Sequence, residues 1–405
     1  SKKLGEAGAR LEEWGVKFEA LSSELCARAS VVVVSPGVSY FTPELEAARA
    51  AGVPVWGEVE LAARELQGPI VGITGSNGKT TTTALTGHLF AEAGVAAQVG
   101  GNIGLPVTEM IASSRPDQWN ILELSSFQLA TAESLHCRVA AVLNITENHL
   151  DWHRSFEHYY SSKQRIVRNQ NAEDVLVWRL EAGLEAIAES TPAMRRGFHP
   201  TKPSPHGAWQ LFGTIYADGE PLLETKDLQL AGKHNWENVM AAAQIGLAAG
   251  LSRGAIARGA ASFRPVEHRL EFVREVKGVR YYNDSKATTP AAALMAIAAI
   301  AGPLWVILGG KDKGLDFTPL RAALSGRTRA VLLVGQDAPK IAAALQGAVP
   351  LVEAGTVDAA VRYANERAQA GETVLLAPGC TSWDQFKNFE ERGRLFKKTV
   401  EELGG

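Results

Sequence analysis

The run Pro69-Ile-Val-Gly-Ile-Thr-Gly-Ser-Asn-Gly-Lys-Thr-Thr81 constrains this chain more than any other. An apolar segment of strand length leads into a turn containing Gly75 and Gly78, and a helix is predicted to open near Lys79. Such a turn leaves backbone N–H groups free to surround phosphate oxygens. Its glycines permit close approach, and the lysine supplies a compact positive charge. The strict form of the motif has glycine at position 73, where this chain has Ile73, so a variant loop is implied. The bland alternative is a turn that happens to carry a surface lysine, but strand, loop and helix fall in the order that nucleotide triphosphate binding needs. Ser76, Asn77, Gly78, Lys79, Thr80, Thr81 and Thr82 are the candidate phosphate contacts. The hydroxyl of Thr80 is suited to a magnesium ion.

With 405 residues the chain exceeds what one hydrophobic core usually organises, so two or three domains are expected. A net charge of -3 offers no general attraction to nucleic acid or to an anionic membrane, so any phosphate binding has to be local. The three cysteines, Cys26, Cys137 and Cys380, are far apart and lack CxxC spacing, which suits a reducing cytoplasm. The longest apolar stretch, Ala291 to Gly310, is split by Gly302-Pro303 into an alanine-rich helix and a strand rather than a membrane span. No basic apolar leader opens the chain, so secretion is not expected.

Strand-like runs alternate with helical segments, the pattern of parallel sheets covered by helices, and three α/β blocks are expected. Residues 1–67 hold a strand at Val31 to Val34, a helix around Pro43 to Ala51 and a strand at Val53 to Trp56. Residues 68–265 hold strands at Pro69 to Ile73, Ile121 to Leu124 and Val139 to Asn144. Residues 266–405 repeat strand and polar turn in the manner of a doubly wound domain, with strands at Val279 to Tyr282, Leu304 to Leu308, Ala330 to Val334 and Thr373 to Leu376. Thr191 to Gly207, rich in proline and without apolar periodicity, reads as an irregular loop.

In open α/β sheets ligands gather at the carboxyl ends of the strands. Glu123 ends one such strand and is a candidate magnesium ligand; the alternative is a solvated carboxylate. His149, in the polar run Asn144 to Asp151, could bind a second metal, contact a carboxylate or be structural. After Ser155, Phe156, Tyr159, Tyr160, Lys163 and Val167 share one helical face, so Lys163 points inward. A buried ammonium needs a salt bridge, or reacts as the neutral amine with carbon dioxide to give an anionic carbamate; spacing alone favours the salt bridge.

These residues together resemble the Mur ligases, the ATP-dependent amino-acid-adding enzymes of peptidoglycan synthesis. The resemblance runs from about Leu11 to the C-terminus through Thr74 to Thr81, Glu123, His149, the Lys163 helix, Gly232-Lys-His-Asn-Trp-Glu-Asn238 and His268-Arg269. Four strings resemble the member that adds D-glutamate to UDP-N-acetylmuramoyl-L-alanine: Leu122 to Leu129, Asn283-Asp-Ser-Lys-Ala-Thr288, Leu308-Gly-Gly-Lys-Asp-Lys313 and Ser382 to Glu390. The resemblance implies a Rossmann-like UDP-binding domain, a central P-loop ATPase domain and a C-terminal Rossmann-like domain that receives the amino acid.

It also implies roles by position. Thr80 and Glu123 would hold one magnesium, and His149 with carbamylated Lys163 a second, manganese being an alternative. Asn235, Asn238, Arg269 and Asp284 would meet the nucleotide. Gly37 and Asn102 would touch the muramoyl substrate, Thr288, Lys313, Ser382 and Phe389 would surround D-glutamate, and Lys286 would lie near the reacting groups. Read without the family, Asn235 and Asn238 can be helix caps, Ser382 a loop terminator, and Arg269 and Lys286 surface charges. A cytoplasmic monomer working on small molecules is expected.

Three departures stand out. A helix-like stretch from Lys2 to Trp14 takes the place of the family's opening strand and glycine-rich turn, so the first half of the UDP-binding domain is expected to be absent. Asn148 stands where relatives carry aspartate. Arg179 to Gly183 replaces an asparagine followed by paired aspartates. A folylpolyglutamate synthase-like ligase shares the ATP chemistry, but the Asp284 to Thr288 string argues against it. A non-ligating ATP-binding switch protein is the reading from another class.

Overall fold

A computed structural model describes residues 11–35, 38–102, 105–147, 150–230, 233–264, 267–300, 302–312 and 314–404. The chain divides into two compact units, Ser1–Arg264 and Pro265–Gly405.

The first unit opens with a small parallel pair, β1 (Val32–Val34) and β2 (Val55–Gly57), joined through the helix Pro43–Ala50. Its main sheet has nine strands: β3 (Ile70–Thr74), β4 (Ala97–Gly101), β5 (Trp119–Glu123), β6 (Val139–Val142), β7 (Val175–Arg179), β8 (Met194–His199), β9 (Gly207–Leu211), β10 (Thr214–Ala217) and β11 (Glu220–Glu224). Their spatial order is β11-β10-β9-β8-β7-β6-β3-β5-β4, antiparallel from β9 to β11 and parallel elsewhere. Strands β3, β5 and β6 are almost wholly buried, as strands with helices on both faces must be.

The expectation of an irregular loop over Thr191–Gly207 is corrected. Met194–His199 forms β8, pairing in parallel with β7 and β9, so that only Thr191, Pro192 and Ala193 and the residues between His199 and Gly207 lack strand structure. Its alternation is weak because β8 is partly exposed at its start, where Met194 keeps 57% of its surface in solvent, so the period-two signal that marks half-buried strands is blurred.

The second unit holds a six-stranded sheet of β12 (Glu271–Val276), β13 (Val279–Asn283), β14 (Leu304–Gly309), β15 (Thr328–Val334), β16 (Leu351–Gly355) and β17 (Thr373–Leu376). The order is β12-β13-β17-β14-β15-β16, with only β12 antiparallel. Alternate residues point to opposite faces. Val306, Leu308, Val331, Leu333 and Leu375 pack against the helices Pro290–Ala299 and Ala338–Leu345. Trp305, Ile307, Leu332, Val374 and Leu376 pack against Val357–Arg367 and Phe389–Glu401. The apolar stretch from Ala291 does resolve into helix Pro290–Ala299 and strand β14, and among the described residues no helix is long and apolar enough to cross a membrane.

Candidate active site

The sheet order brings the phosphate loop and the acidic strand end together. β5 lies beside β3 with Ile73 opposite Glu123, so the carboxylate sits next to the strand that feeds the loop. Gly78, at φ +84°, caps the helix Lys79–Glu92, and a Cβ there would come within 2.4 Å of Asn238 Oδ1. Both demands exclude larger residues.

The loop is braced from behind. The backbone N–H of Asn77 donates to Asn144 Oδ1 at 2.8 Å, and Asn144 Nδ2 returns a bond to the Asn77 carbonyl at 3.1 Å. Ser76 Oγ is 2.7 Å from the Tyr159 hydroxyl and accepts from the Thr146 N–H. Lys79 folds back, donating from Nζ to the Gly75 and Ser76 carbonyls at 2.8 and 3.1 Å. Thr80 and Thr82 are buried, and Thr81 is half-buried. Thr82 Oγ1 donates to Asn238 Oδ1 at 3.3 Å, and Asn238 Nδ2 donates to Asn235 Oδ1 at 3.0 Å. Both asparagines lie inside the helix Lys233–Ala248, so the helix-cap reading gives way to one in which they support the loop.

Glu123 is 1% exposed. Asn102 Nδ2 donates to its Oε1 at 2.9 Å, and the Asn102 N–H donates to its carbonyl at 2.8 Å, while Oε2 is buried without a hydrogen-bond partner. Gly101, at φ +106°, allows this approach, since a Cβ there would come within 2.3 Å of the Glu123 carbonyl oxygen. A buried carboxylate oxygen without a donor is costly unless a cation meets it, which fits a magnesium ion here. Among the described residues no group of three His, Cys, Asp or Glu side chains forms a metal cage, so any ion would depend on other oxygens as well.

Lys163 is 1% exposed, on the helix Phe156–Gln164 that Ser155 caps through the His158 N–H. Its Nζ donates to Thr74 Oγ1 at 3.2 Å and to the Gly75 carbonyl at 2.9 Å. No described carboxylate forms an ion pair with it, which corrects the salt-bridge expectation: the amine settles on neutral oxygens. Burial, and then the neighbouring Lys79, hold its pKa well below the usual lysine range, while Glu123 pulls the other way.

Ser76, Lys79, Asn102, Ser125, Ser126, Phe127, Tyr159 and Lys163 enclose a cavity of about 220 Å³. Tyr159, Asn144 and Ser126 are site residues that sequence reasoning did not single out. For Tyr159 the signal is its spacing of four from Lys163, but periodicity places the ring on an apolar face and says nothing of the partner its hydroxyl meets.

In the second unit, the expected residues gather where β13 and β17 end. Asp284 is 7% exposed; burial raises its pKa to about 6, against the opposing pull of Arg269, the Leu270 N–H and Lys286. His268 and Leu270 flank Arg269 at φ of 65° and 41°, strained values for residues with a Cβ. Lys286 Nζ lies 5.9 Å from the centre of the Phe389 ring. Ser382 is buried and Thr288 half-buried. Arg392, not foreseen, ties the two loops: it donates to the Ser285 hydroxyl and carbonyl and, through two nitrogens, to the Cys380 carbonyl, at 2.8–3.1 Å. Gly37, His149 and Lys313, like Asn148, lie outside the described residues.

Residues 73–246 match the Mur ligase middle domain, and residues 268–380 match the Mur ligase glutamate ligase domain. The chain is 51% identical over 392 residues to the UDP-N-acetylmuramoylalanine--D-glutamate ligase of Solibacter usitatus, covering 96% of this chain and 89% of that one. It is 43% identical over 414 residues to the ligase of the same name from Pseudomonas aeruginosa, covering 99% and 90%. Among solved structures, the MurF ligase of Thermotoga maritima in complex with ADP aligns with a TM-score of 0.59 at 17% identity, covering 95% and 97%. A pseudomurein peptide ligase type C from Methanothermus fervidus aligns with a TM-score of 0.62 at 18% identity, covering 98% and 92%. At those identities the structural likeness establishes the fold alone.

Proposed function

Because the chain belongs to the Mur ligase family, we propose that it joins D-glutamate to UDP-N-acetylmuramoyl-L-alanine at the expense of ATP, in the cytoplasmic synthesis of peptidoglycan precursors. The observation that carries the reading at the site is one cavity holding a phosphate-loop lysine and a buried amine, edged by Asn102, whose amide is bonded to a carboxylate with an orphaned oxygen.

The reaction has two steps. The carboxylate of the muramoyl-alanine substrate attacks the γ-phosphorus of ATP, the bond to the β-phosphate oxygen breaks, and ADP and an acyl phosphate form. The amine of D-glutamate then attacks the acyl carbon, a proton leaves the nitrogen, and phosphate departs with the electron pair of its C–O bond. Lys79 and the N–H groups of residues 76–82 neutralise charge on the transferring phosphoryl group, where preorganised donors contribute most. Asn144, Tyr159 and Asn238 hold the loop in that shape, so little reorganisation is needed as charge moves.

Glu123 and Thr80 are proposed to hold one magnesium ion, and His149 with Lys163 a second; bound magnesium supplies charge neutralisation at the phosphate oxygens. The lowered pKa of Lys163 favours the neutral amine, the form that takes up carbon dioxide. The carbamate would give this cationic cavity an anion, with Thr74 and Gly75 orienting its nitrogen. Asn102 and Gly37 are assigned to the muramoyl substrate, and Thr288, Lys313, Ser382 and Phe389 to D-glutamate. Arg269, Asp284, Asn235 and Asn238 are assigned to the nucleotide and Lys286 to the reacting groups, all by resemblance. A monomer acting on small molecules completes the proposal.

Purified protein given ATP, magnesium and UDP-N-acetylmuramoyl-L-alanine should release phosphate and form product only when D-glutamate is added from a panel of D- and L-amino acids. Phosphate release without the amino acid would point instead to the ATP-hydrolysing switch.

A further inference from the structure

Three side chains beside the cavity form a line of hydrogen bonds to which the steps above assign no part. Ser126, 3% exposed, lines the cavity together with Lys79, Asn102 and Lys163. Its Oγ lies 2.9 Å from Nε2 of His153, which is completely buried. The Nδ1 of His153 lies 2.9 Å from the Nδ1 of His158. The His158 ring in turn packs against Tyr40 and Phe41, with centroids 4.9 and 4.8 Å away, and burial is the main cause holding its pKa below the ordinary histidine value.

Two imidazole nitrogens at that separation share one proton, so the line has two arrangements. In one, His153 donates to His158, its Nε2 accepts from Ser126, and the serine shows only lone pairs to the cavity. In the other, His158 donates to His153, Nε2–H donates to Ser126 Oγ, and the serine proton is left free to point into the cavity. An anion in the cavity is repelled by the first arrangement and bound by the second. Lys79, on the opposite side of that choice, already favours an anion there.

We propose that the hydroxyl of Ser126 contacts the substrate, donating to the acceptor carboxylate that becomes the acyl phosphate, and that His153 and His158 are positioning residues that set its polarity. This rests on the ligase reading above. It adds a recognition element for the carboxylate itself, independent of any bound ion. Removing one hydrogen bond to a charged group typically weakens binding by about 10- to 100-fold.

The test is calorimetric binding of UDP-N-acetylmuramoyl-L-alanine and of its terminal amide to the full chain. Ser126→Ala should weaken the acid about 10- to 100-fold and the amide less than about threefold, and Ser126→Thr should restore acid binding. His153→Phe should reproduce most of the loss, while His153→Gln, whose amide N–H can donate to Ser126, should recover it. A non-hydrolysable ATP analogue should bind every variant as it binds the original chain, which checks the fold. Equal loss for acid and amide, or full acid affinity in Ser126→Ala, would overturn the proposal. Full affinity in His153→Phe would overturn the positioning role. Product formation by the unaltered chain is measured alongside: its failure removes the ligase reading, whereas a null result in the variants alone removes only this inference.

Discussion

Each unit buries a basic side chain that has no described carboxylate to pair with, and the two are handled differently. Lys163 in the first unit and Arg392 in the second are both 1% exposed. Lys163 makes two bonds, to a hydroxyl and a carbonyl, and its pKa falls well below the usual range. Arg392 makes four, to Ser285 and Cys380, and although burial lowers its pKa to about 10 it stays charged at neutral pH. A lysine can shed the cost of burial by losing its proton, which leaves a nucleophilic amine. A guanidinium cannot, and is stable inside only when its fork of donors is matched. Burial therefore favours a neutral amine, the group proposed above to be reactive, at one site and a charged clamp at the other.

Substitutions at these two positions separate the roles, and the largest effect is expected at Lys163. Lys163→Ala should lower the ligation rate by about 10³, near 4 kcal/mol, with little loss of stability, because a costly buried amine is removed. If the amine works as a carbamate, formate or acetate should restore part of the rate. Lys163→Arg should be inactive and beyond rescue. Rates near the original in Lys163→Ala would show the amine to be only a spacer.

Arg392→Met should act on stability instead. It leaves the Ser285 and Cys380 carbonyls without these donors, at a cost of about 2–4 kcal/mol, partly offset by relief of charge burial. Hydrogen exchange should quicken at β13 and β17, with exchange in β3 and β5 unchanged. Loss of protection in both units would break the contrast.

The same contrast explains what could be read in advance. Strand, loop and helix at Ile70–Glu92, the carboxylate ending β5 and the inward face of Lys163 all follow from local periodicity, and the sheet order then placed Glu123 beside Ile73. Arg392 could not be found this way, because it sits in an amphipathic helix where an arginine ordinarily reads as solvent-facing, and its partners are 12 and 107 residues away. The Asn102–Glu123 bond spans 21 residues and depends on two strand ends meeting, and the Ser76–Tyr159 bond spans 83. Lys163 was legible as buried but not in its pairing, since spacing reports which way a side chain points and not what it meets.

Asp284 gives the second unit a pH dependence of its own. Its pKa is raised to about 6 by burial, against an ordinary 3.8, so between those values the folded unit holds a proton that the unfolded chain has lost. Stability should thus fall as pH rises from about 4 to 6, by about 1–3 kcal/mol, and remain lower above that window. Asp284→Asn should remove the fall, followed by denaturant titration at pH 4, 5, 6 and 7. A profile as steep in the variant as in the original chain would mean that Asp284 is not the group responsible.

The smallest effects, and the most closely matched, are expected at the caps of the two helices that carry these cations. Ser155 Oγ accepts the His158 N–H at 3.2 Å at the start of the Lys163 helix, and Asn388 Oδ1 accepts the Glu391 N–H at 2.8 Å at the start of the Arg392 helix. Replacing either residue with alanine should cost about 1 kcal/mol of stability, and aspartate at either position should be close to neutral. The consequences for activity should differ. Fraying at Ser155 loosens the turn that carries His158 and Tyr159, whose hydroxyl braces Ser76, so Ser155→Ala should weaken binding of an ATP analogue severalfold. Asn388→Ala should weaken that affinity less, because the clamp it supports runs from Arg392 to Ser285 and Cys380 and braces no residue of the phosphate loop's own cradle, acting on the nucleotide only through Asp284 beside Ser285. Equal losses of ATP affinity from the two caps would show that the units respond together, and that the division between the amine site and the clamped one is not energetic.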